Sequence, residues 1–185
     1  TGNYNTSVGV NALRDNTTAS NNTSVGHAAL RENETGANNT AVGNKALVAN
    51  TTGANNTALG ATSLDANTSG NNNVAIGQDA LGKNTTASSN VAVGQGSLAD
   101  NTTGSENTAL GRIALGENTT GLYNTAVGAN ALNANTTGTS NTSVGADAGK
   151  SQTTANACTW IGVEAGRDNT ASDNIGIGSG CMRLN

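Results

Sequence analysis

A glycine that follows a short apolar segment recurs every seventeen residues and constrains how the whole chain can fold. The copy at 39–55, which reads Asn-Thr-Ala-Val-Gly-Asn-Lys-Ala-Leu-Val-Ala-Asn-Thr-Thr-Gly-Ala-Asn, defines positions 1 to 17 of the repeat. A fixed period of this length is typical of a solenoid, in which each repeat contacts mainly its neighbours. Only the last copy begins one residue early, and we predict a chain corner at position 5 of every copy: Gly9, Gly26, Gly43, Gly60, Gly77, Gly94, Gly111, Gly128, Gly145, Gly162 and Gly178.

The composition differs from that of an ordinary globular domain, because the 185 residues include no Pro or Phe and only one Trp. Low apolar content generally favours disorder. In this chain, however, the apolar residues return to the same positions of each repeat, and the charged fraction is only 11%. Both facts favour an ordered coil over a disordered linker.

The charge and hydropathy patterns argue against two classes of partner. The formal net charge is -4 and the Lys and Arg residues are scattered, so we expect no nucleic-acid binding. No apolar run approaches the length that spans a bilayer, so we expect no membrane insertion. The sequence begins with Thr1 and has its only methionine at Met182, from which we expect a fragment of a longer protein or a processed chain.

Positions 2 to 4 form the predicted strand of each repeat. Position 2 exchanges Thr for Val or Ile, which is typical of β-branched residues in a strand. Side chains alternate along a strand, so positions 2 and 4 share one face and position 3 lies on the other. Position 4 is always aliphatic, and we predict that it forms a core ladder: Val8, Val25, Val42, Leu59, Ile76, Val93, Leu110, Val127, Val144, Ile161 and Ile177.

Positions 8 and 9 are Ala-Leu or Ser-Leu in most copies and supply the second inner side of the predicted coil. Positions 6, 7, 10 and 11 carry nearly all the charge and are predicted to face solvent. The Asn-Thr-Thr-Gly of positions 12 to 15 favours a turn, and stacked Asn side chains can form ladders along a solenoid. The leucines of position 9 complete the predicted core: Leu13, Leu30, Leu47, Leu64, Leu81, Leu98, Leu115 and Leu132.

Position 3 is small in every copy except at Trp160, which indicates close packing. The core of a single coil is thin, because ordering the backbone costs ~1–2 kcal/mol per residue. Burying two aliphatic side chains per repeat returns only ~1.5–3 kcal/mol each. We therefore expect burial against other copies of the chain, most naturally through the small side chains of position 3: Ser7, Ser24, Ala41, Ala58, Ala75, Ala92, Ala109, Ala126 and Ser143.

The segments Asn73-Val74-Ala75-Ile76-Gly77-Gln78 and Asn90-Val91-Ala92-Val93-Gly94-Gln95 resemble the head repeat of trimeric autotransporter adhesins of the YadA type. The whole repeat, with Ala-Leu and then Asn-Thr-Thr-Gly, more closely resembles arrays in phage and bacterial tail-fibre-domain proteins. The resemblance covers residues 5 to about 178. It implies an all-β fold, a left-handed parallel β-roll of about eleven repeats, and association of three chains about one axis.

The pattern changes near the C-terminus, and we divide the chain into a regular array at 1–148 and an atypical terminal region, a cap or a junction, at 149–185. Leu of position 9 gives way there to Gly149, Gly166 and Met182. Trp160 either lies where three chains separate or faces solvent. Cys158 and Cys181 either form a disulfide that clamps this end or remain free thiols.

The sequence favours a structural or adhesive function over catalysis. Carboxylates occur singly, and no metal-ligand cluster or phosphate loop is evident, so we expect no enzyme, cofactor or metal site. The first hypothesis is a rigid trimeric rod of a phage tail fibre or bacterial surface adhesin, extracellular or on a virion, with a cell-surface glycan or protein as receptor. The alternatives are a filament assembled end to end and an ice-binding solenoid with ranks of Thr at positions 2, 13 and 14.

Overall fold

A computed structural model describes residues 2–183 and shows an all-β chain. It has eleven parallel strands and forms a β-solenoid of about ten turns with about seventeen residues per turn. We call each turn a rung and number it by its strand. The strands are β1 (Thr6–Val8), β2 (Thr23–Val25), β3 (Thr40–Val42), β4 (Thr57–Leu59), β5 (Val74–Ile76), β6 (Val91–Val93), β7 (Thr108–Leu110), β8 (Thr125–Val127), β9 (Thr142–Val144), β10 (Thr159–Ile161) and β11 (Ile175–Ile177).

The strands form one parallel sheet in which each pairs with the next along the chain. The register places like repeat positions opposite each other, as Thr40 pairs with Thr57 and Val42 with Leu59. This register holds even where the last repeat is one residue short, since Thr159 pairs with Ile175. The predicted strands and solenoid are therefore confirmed.

The direction in which the strands face is the reverse of the prediction. Position 3 points into the coil and is fully buried from Ser24 to Ser143, whereas Ser7 in the first rung is exposed. Position 4 points outward and is partly or largely exposed, so the predicted core ladder is wrong at Val8, Val25, Val42, Leu59, Ile76, Val93, Leu110, Val127, Val144, Ile161 and Ile177. The same burial excludes contact between chains for Ser24, Ala41, Ala58, Ala75, Ala92, Ala109, Ala126 and Ser143.

The reason for the small residues at position 3 is the narrow interior of the coil. Ala41 and its counterparts form one continuous core with the Ala and Leu of positions 8 and 9. The leucines from Leu30 to Leu132 are fully buried, and Leu13 in the first rung is partly buried. Position 9 is confirmed as core, and position 3 completes it from the opposite wall.

The corner glycines meet two constraints at once. Gly60 has a φ of +140°, a region that residues with a β-carbon rarely adopt. A β-carbon added there would lie 2.6 Å from the carbonyl oxygen of Gly77 in the next rung. All eleven predicted corner glycines have φ between +123° and +141°, which confirms them as corners.

Two buried asparagine ladders run along the inside of the coil, at positions 1 and 12. At position 1, the Oδ1 of Asn39 accepts from the backbone N–H of Asn56 at 2.9 Å. At position 12, the Nδ2 of Asn50 donates to the Oδ1 of Asn33 at 2.7 Å. Both ladders converge on position 15, because Asn39 and Asn50 each donate to the carbonyl of Gly53, at 2.8 and 2.9 Å. They satisfy backbone groups that a buried turn would otherwise leave unpaired.

The terminal region from 149 fills its interior differently. Trp160 is fully buried inside the coil, so neither placement expected for it, between chains or in solvent, is correct. Its ring lies over three glycines of its own and the neighbouring rungs, and a β-carbon added at Gly166 would lie 2.2 Å from its Cδ2. The corresponding distances are 2.8 Å at Gly149, to Cδ1, and 2.7 Å at Gly176, to Cζ3.

Candidate interaction face

The side chains of positions 2 and 4 in β1 to β11 form a single surface, which we call the outer strand face. They point outward because they alternate with the buried position 3. The parallel register stacks each position on its counterpart in the next strand, so the face consists of two straight ranks. With strands ~4.8 Å apart, the ranks run for roughly 50 Å along the solenoid.

The rank of position 4 is the more exposed of the two. Exposure reaches 58% at Val8, 46% at Leu59 and 69% at Ile177. Position 2 is half-buried between its neighbours in most rungs. The result is a long surface strip whose most accessible atoms are aliphatic.

The chemistry of the outer strand face is uniform. Position 4 is Val, Leu or Ile in every copy, and position 2 is Thr, Val or Ile, so neither rank carries a charge. The charged residues lie at other positions, where they form ion pairs such as Lys83 with Asp100 at 2.8 Å. A contiguous exposed apolar strip on a soluble chain marks a surface of interaction, since monomers rarely leave patches beyond ~300–600 Å² uncovered.

The Thr ranks of the turn have a different role. At position 13 the hydroxyl donates to the backbone carbonyl of the next rung, as Thr51 does to Thr68 at 3.0 Å and Thr102 to Thr119 at 3.0 Å. These hydroxyls therefore tie successive rungs together. The Thr side chains of position 14, such as Thr52 and Thr103, are exposed.

A shallow groove of about 450 Å³ lies on the charged side of the coil, where two residues without long side chains, Gly96 and Gly116, leave space. Its lining includes Asp79, Asp100 and Glu117. Among residues 2–183, no group of three or more His, Cys, Asp or Glu side chains is placed to hold a metal ion. The groove is an acidic surface depression with no ligand set.

Both cysteines are free thiols in the structure. Cys158 takes the place of the ladder Asn in rung 10, is fully buried, and its thiol donates to the carbonyl of Ala171 at 3.2 Å. Cys181 is partly buried against the cluster around Trp160. The disulfide alternative of the sequence is not formed here.

The residues of the outer strand face were identified from the sequence but assigned to the wrong side of the strand. The available signal was position 2, which shares a face with position 4 and is Thr in most copies. A hydroxyl in nearly every rung is more typical of a surface rank than of a buried aliphatic ladder. The buried ladder of position 1 was also missed, although Asn occupies it in every copy but one.

Comparison of the chain with protein-family models, with curated proteins and with solved structures finds no match in any of the three. Within residues 2–183, there is no helix of the length and apolarity needed to cross a membrane.

Proposed function

We propose that this chain is a rigid segment of an extracellular or virion fibre, in which three copies associate in parallel through the outer strand face. The observation that carries the proposal is the unbroken aliphatic rank of position 4, exposed along all eleven strands. The resemblance of the repeat to trimeric adhesin heads and tail-fibre arrays supports the number of chains.

The chemistry of position 4 favours a protein partner over water or ice. Burying a Val, Leu or Ile side chain is worth ~1.5–3 kcal/mol, so a rank of them gains free energy by meeting another apolar surface. An ice-binding surface would benefit from hydroxyls in this rank, and none occurs there. The hydroxyls of position 13 are already engaged with backbone carbonyls.

The shape of the solenoid suits the proposed association. A straight, uncharged strip on each chain can meet the same strip on two others around a threefold axis. Closed rotational symmetry requires all three chains to run in the same direction. Assembly in this way covers the exposed strip over its whole length and produces a rod whose charged and Thr-rich sides remain outside, available for a receptor.

The native mass tests the proposal directly. Light scattering is expected to give three times the 18.1 kDa of one chain. Leu59→Asp combined with Leu110→Asp introduces charge into the outer strand face and is expected to yield monomers, because a carboxylate buried between apolar surfaces is strongly disfavoured. The matched control is Ala61→Asp with Ala129→Asp, which adds the same charge at exposed residues of position 6.

The control variant is expected to retain the trimeric mass and the same circular dichroism spectrum. A stable monomer of the unmodified chain at micromolar concentration would refute the association. Long filaments in electron micrographs would favour end-to-end assembly instead, and thermal hysteresis of a monomer would favour ice binding.

A further inference from the structure

The repetition of the outer strand face leaves one question of assembly open to every rod of this kind. Position 4 is aliphatic in every rung, so the rank of one chain fits that of another at any offset of a whole rung. A slip by one rung moves a chain by ~4.8 Å and uncovers only the end rungs. Uniform ranks alone therefore specify register weakly.

Rungs 5 and 6 break this uniformity in the middle of the face. Position 2 changes there from Thr to Val74 and Val91, beside Ile76 and Val93. We call these four side chains the valine belt. They form the only stretch of two adjacent rungs with aliphatic residues in both ranks among the described strands, and all four are partly exposed. The last strand, with Ile175 and Ile177, has the same pairing in a single rung.

We propose that the valine belt sets the register in which copies of this chain associate, an inference that rests on the proposed parallel assembly. In register, Val74 meets Val74 of the other chains and Thr57 meets Thr57. Like pairs are compatible, because Thr side chains can exchange hydrogen bonds and Val side chains can pack together.

A slip by one rung removes this match at both edges of the valine belt. Val74 then meets Thr57, and Thr108 meets Val91, so two hydroxyls per pair of chains are buried against methyl groups. A buried hydroxyl without a hydrogen-bond partner is unfavourable. A slip by two rungs places both valines against Thr. The correct register is thus distinguished in the middle of the interface, which end effects cannot do.

The order of residues is nearly the same when read from the valine belt in either direction. Leu59 and Leu110 flank it on the two sides, followed by Val42 and Val127. The valine belt would therefore also match an antiparallel pair, in which rung 3 meets rung 8. The threefold axis of the proposed assembly selects the parallel arrangement, and the experiment has to separate the two.

Disulfide trapping on the outer strand face reads the register. The background is Cys158→Asn with Cys181→Ala, which restores the residues that the other copies have at these positions. Chains carrying Val127→Cys and chains carrying Val144→Cys, one of them tagged to differ in size, are refolded together and oxidised. Association in register gives only like products, whereas a slip by one rung joins residue 127 of one chain to residue 144 of another.

The test variant is Val74→Thr with Val91→Thr, which gives rungs 5 and 6 the Thr that most copies carry. It is expected to keep the trimeric mass, because position 4 is unchanged, and to raise the mixed product several-fold. A second variant adds Thr125→Val and Thr142→Val, which moves the valine pair to rungs 8 and 9. In this variant the mixed product is expected to fall again.

The outcomes separate the two proposals. A monomeric mass in the unmodified chain refutes the assembly itself. A trimer whose mixed product is the same with and without the valines overturns the inference about register and leaves the assembly standing. A dominant product between Val42→Cys and Val127→Cys chains shows antiparallel pairing and overturns both.

Discussion

The regular rungs and the terminal region fill the same coil in two different ways. In the regular rungs one Leu per turn, such as Leu115, occupies the interior beside small residues of position 3. From 149 onward the leucines are replaced by glycines, and the single Trp160 occupies the space of several turns. The comparison shows that the coil requires a filled volume more than it requires a particular residue at position 9.

The hydrogen bonds of the two regions do not compensate in the same way. In the regular rungs the position 12 amides bond both the previous rung and a backbone carbonyl, as Asn118 does. Gln152 takes this position at the start of the terminal region, and neither atom of its buried amide has a partner within 2–183. Asn135 Oδ1, Ser143 Oγ and Trp160 Nε1 are likewise buried and unpartnered in the described chain. The terminal region is therefore well filled but poorly hydrogen-bonded.

The largest expected difference between the regions concerns the corner glycines. Gly60→Ala is expected to cost more than ~4 kcal/mol, because it combines a strained φ with overlap on the next rung. Gly178→Ala has a similar φ of +123°, but within the described residues no heavy atom lies within 4 Å of the added β-carbon, so ~1–3 kcal/mol is expected.

Urea denaturation followed by circular dichroism measures both glycine variants. Equal losses would show that backbone strain alone explains the glycine and that stacking on the next rung contributes nothing. An intact spectrum with a small loss for Gly178→Ala is the expected control.

The second prediction concerns the exchange of Leu for Trp. Trp160→Ala is expected to destabilise the terminal region by ~3–5 kcal/mol, because it leaves a cavity above three glycines. Gly166→Leu alone is also expected to be destabilising, since its β-carbon would overlap the Trp160 ring. Hydrogen exchange of the amides from 149 to 183 measures both effects locally.

The triple variant Trp160→Ala, Gly149→Leu and Gly166→Leu converts this region to the regular pattern and is expected to recover most of the lost protection. The backbone permits the change, because Gly149 and Gly166 have φ of +59° and +58°, close to the +50° of Leu115. A triple variant less protected than Trp160→Ala would show that volume exchange does not explain the terminal region.

A smaller effect is expected from repairing the ladder. Gln152→Asn places the usual amide at position 12, where its Nδ2 can donate to Asn135 Oδ1 and to the carbonyl of Ala155. A net gain of about 0.5–1.5 kcal/mol per bond formed is expected. Emission of Trp160, the only Trp in the chain, follows unfolding of this region. Asn67→Gln in the regular array is the converse control and is expected to lower stability.

Much of this architecture could be predicted from the sequence, and the exception has a clear physical cause. The period located the strands, and the predicted strand 40–42 matches β3. Strand alternation places positions 2 and 4 on one face but does not say whether that face is inside. Small residues at position 3 suit a narrow interior as well as close contact between chains. For Trp160 the signal was present, since Gly149 and Gly166 lie one period apart and so stack in adjacent rungs.

The smallest effects are expected from two aspartates, one in a regular rung and one bordering the terminal region. Partial burial, together with the nearby charge of Asp79, raises the pKa of Asp65. Burial would also raise the pKa of Asp147, but hydrogen bonds from Asn130 and Lys150 outweigh it and lower that pKa. Ionisation of Asp65 therefore opposes folding above its unfolded-state pKa, whereas ionisation of Asp147 supports folding and is lost as the pH falls through its folded-state pKa.

Asn variants at these two sites are thus expected to shift stability in opposite directions. At pH 7, Asp65→Asn is expected to raise the urea midpoint, because it removes the cost of an ionised, half-buried carboxylate. Asp147→Asn is expected to lower stability by ~0.2–1 kcal/mol, as for other solvent-screened pairs. Both charge-dependent differences should disappear at a pH below the folded-state and unfolded-state pKa of each group. Midpoints that shift in the same direction for both variants at pH 7 would contradict the opposite roles of the two carboxylates.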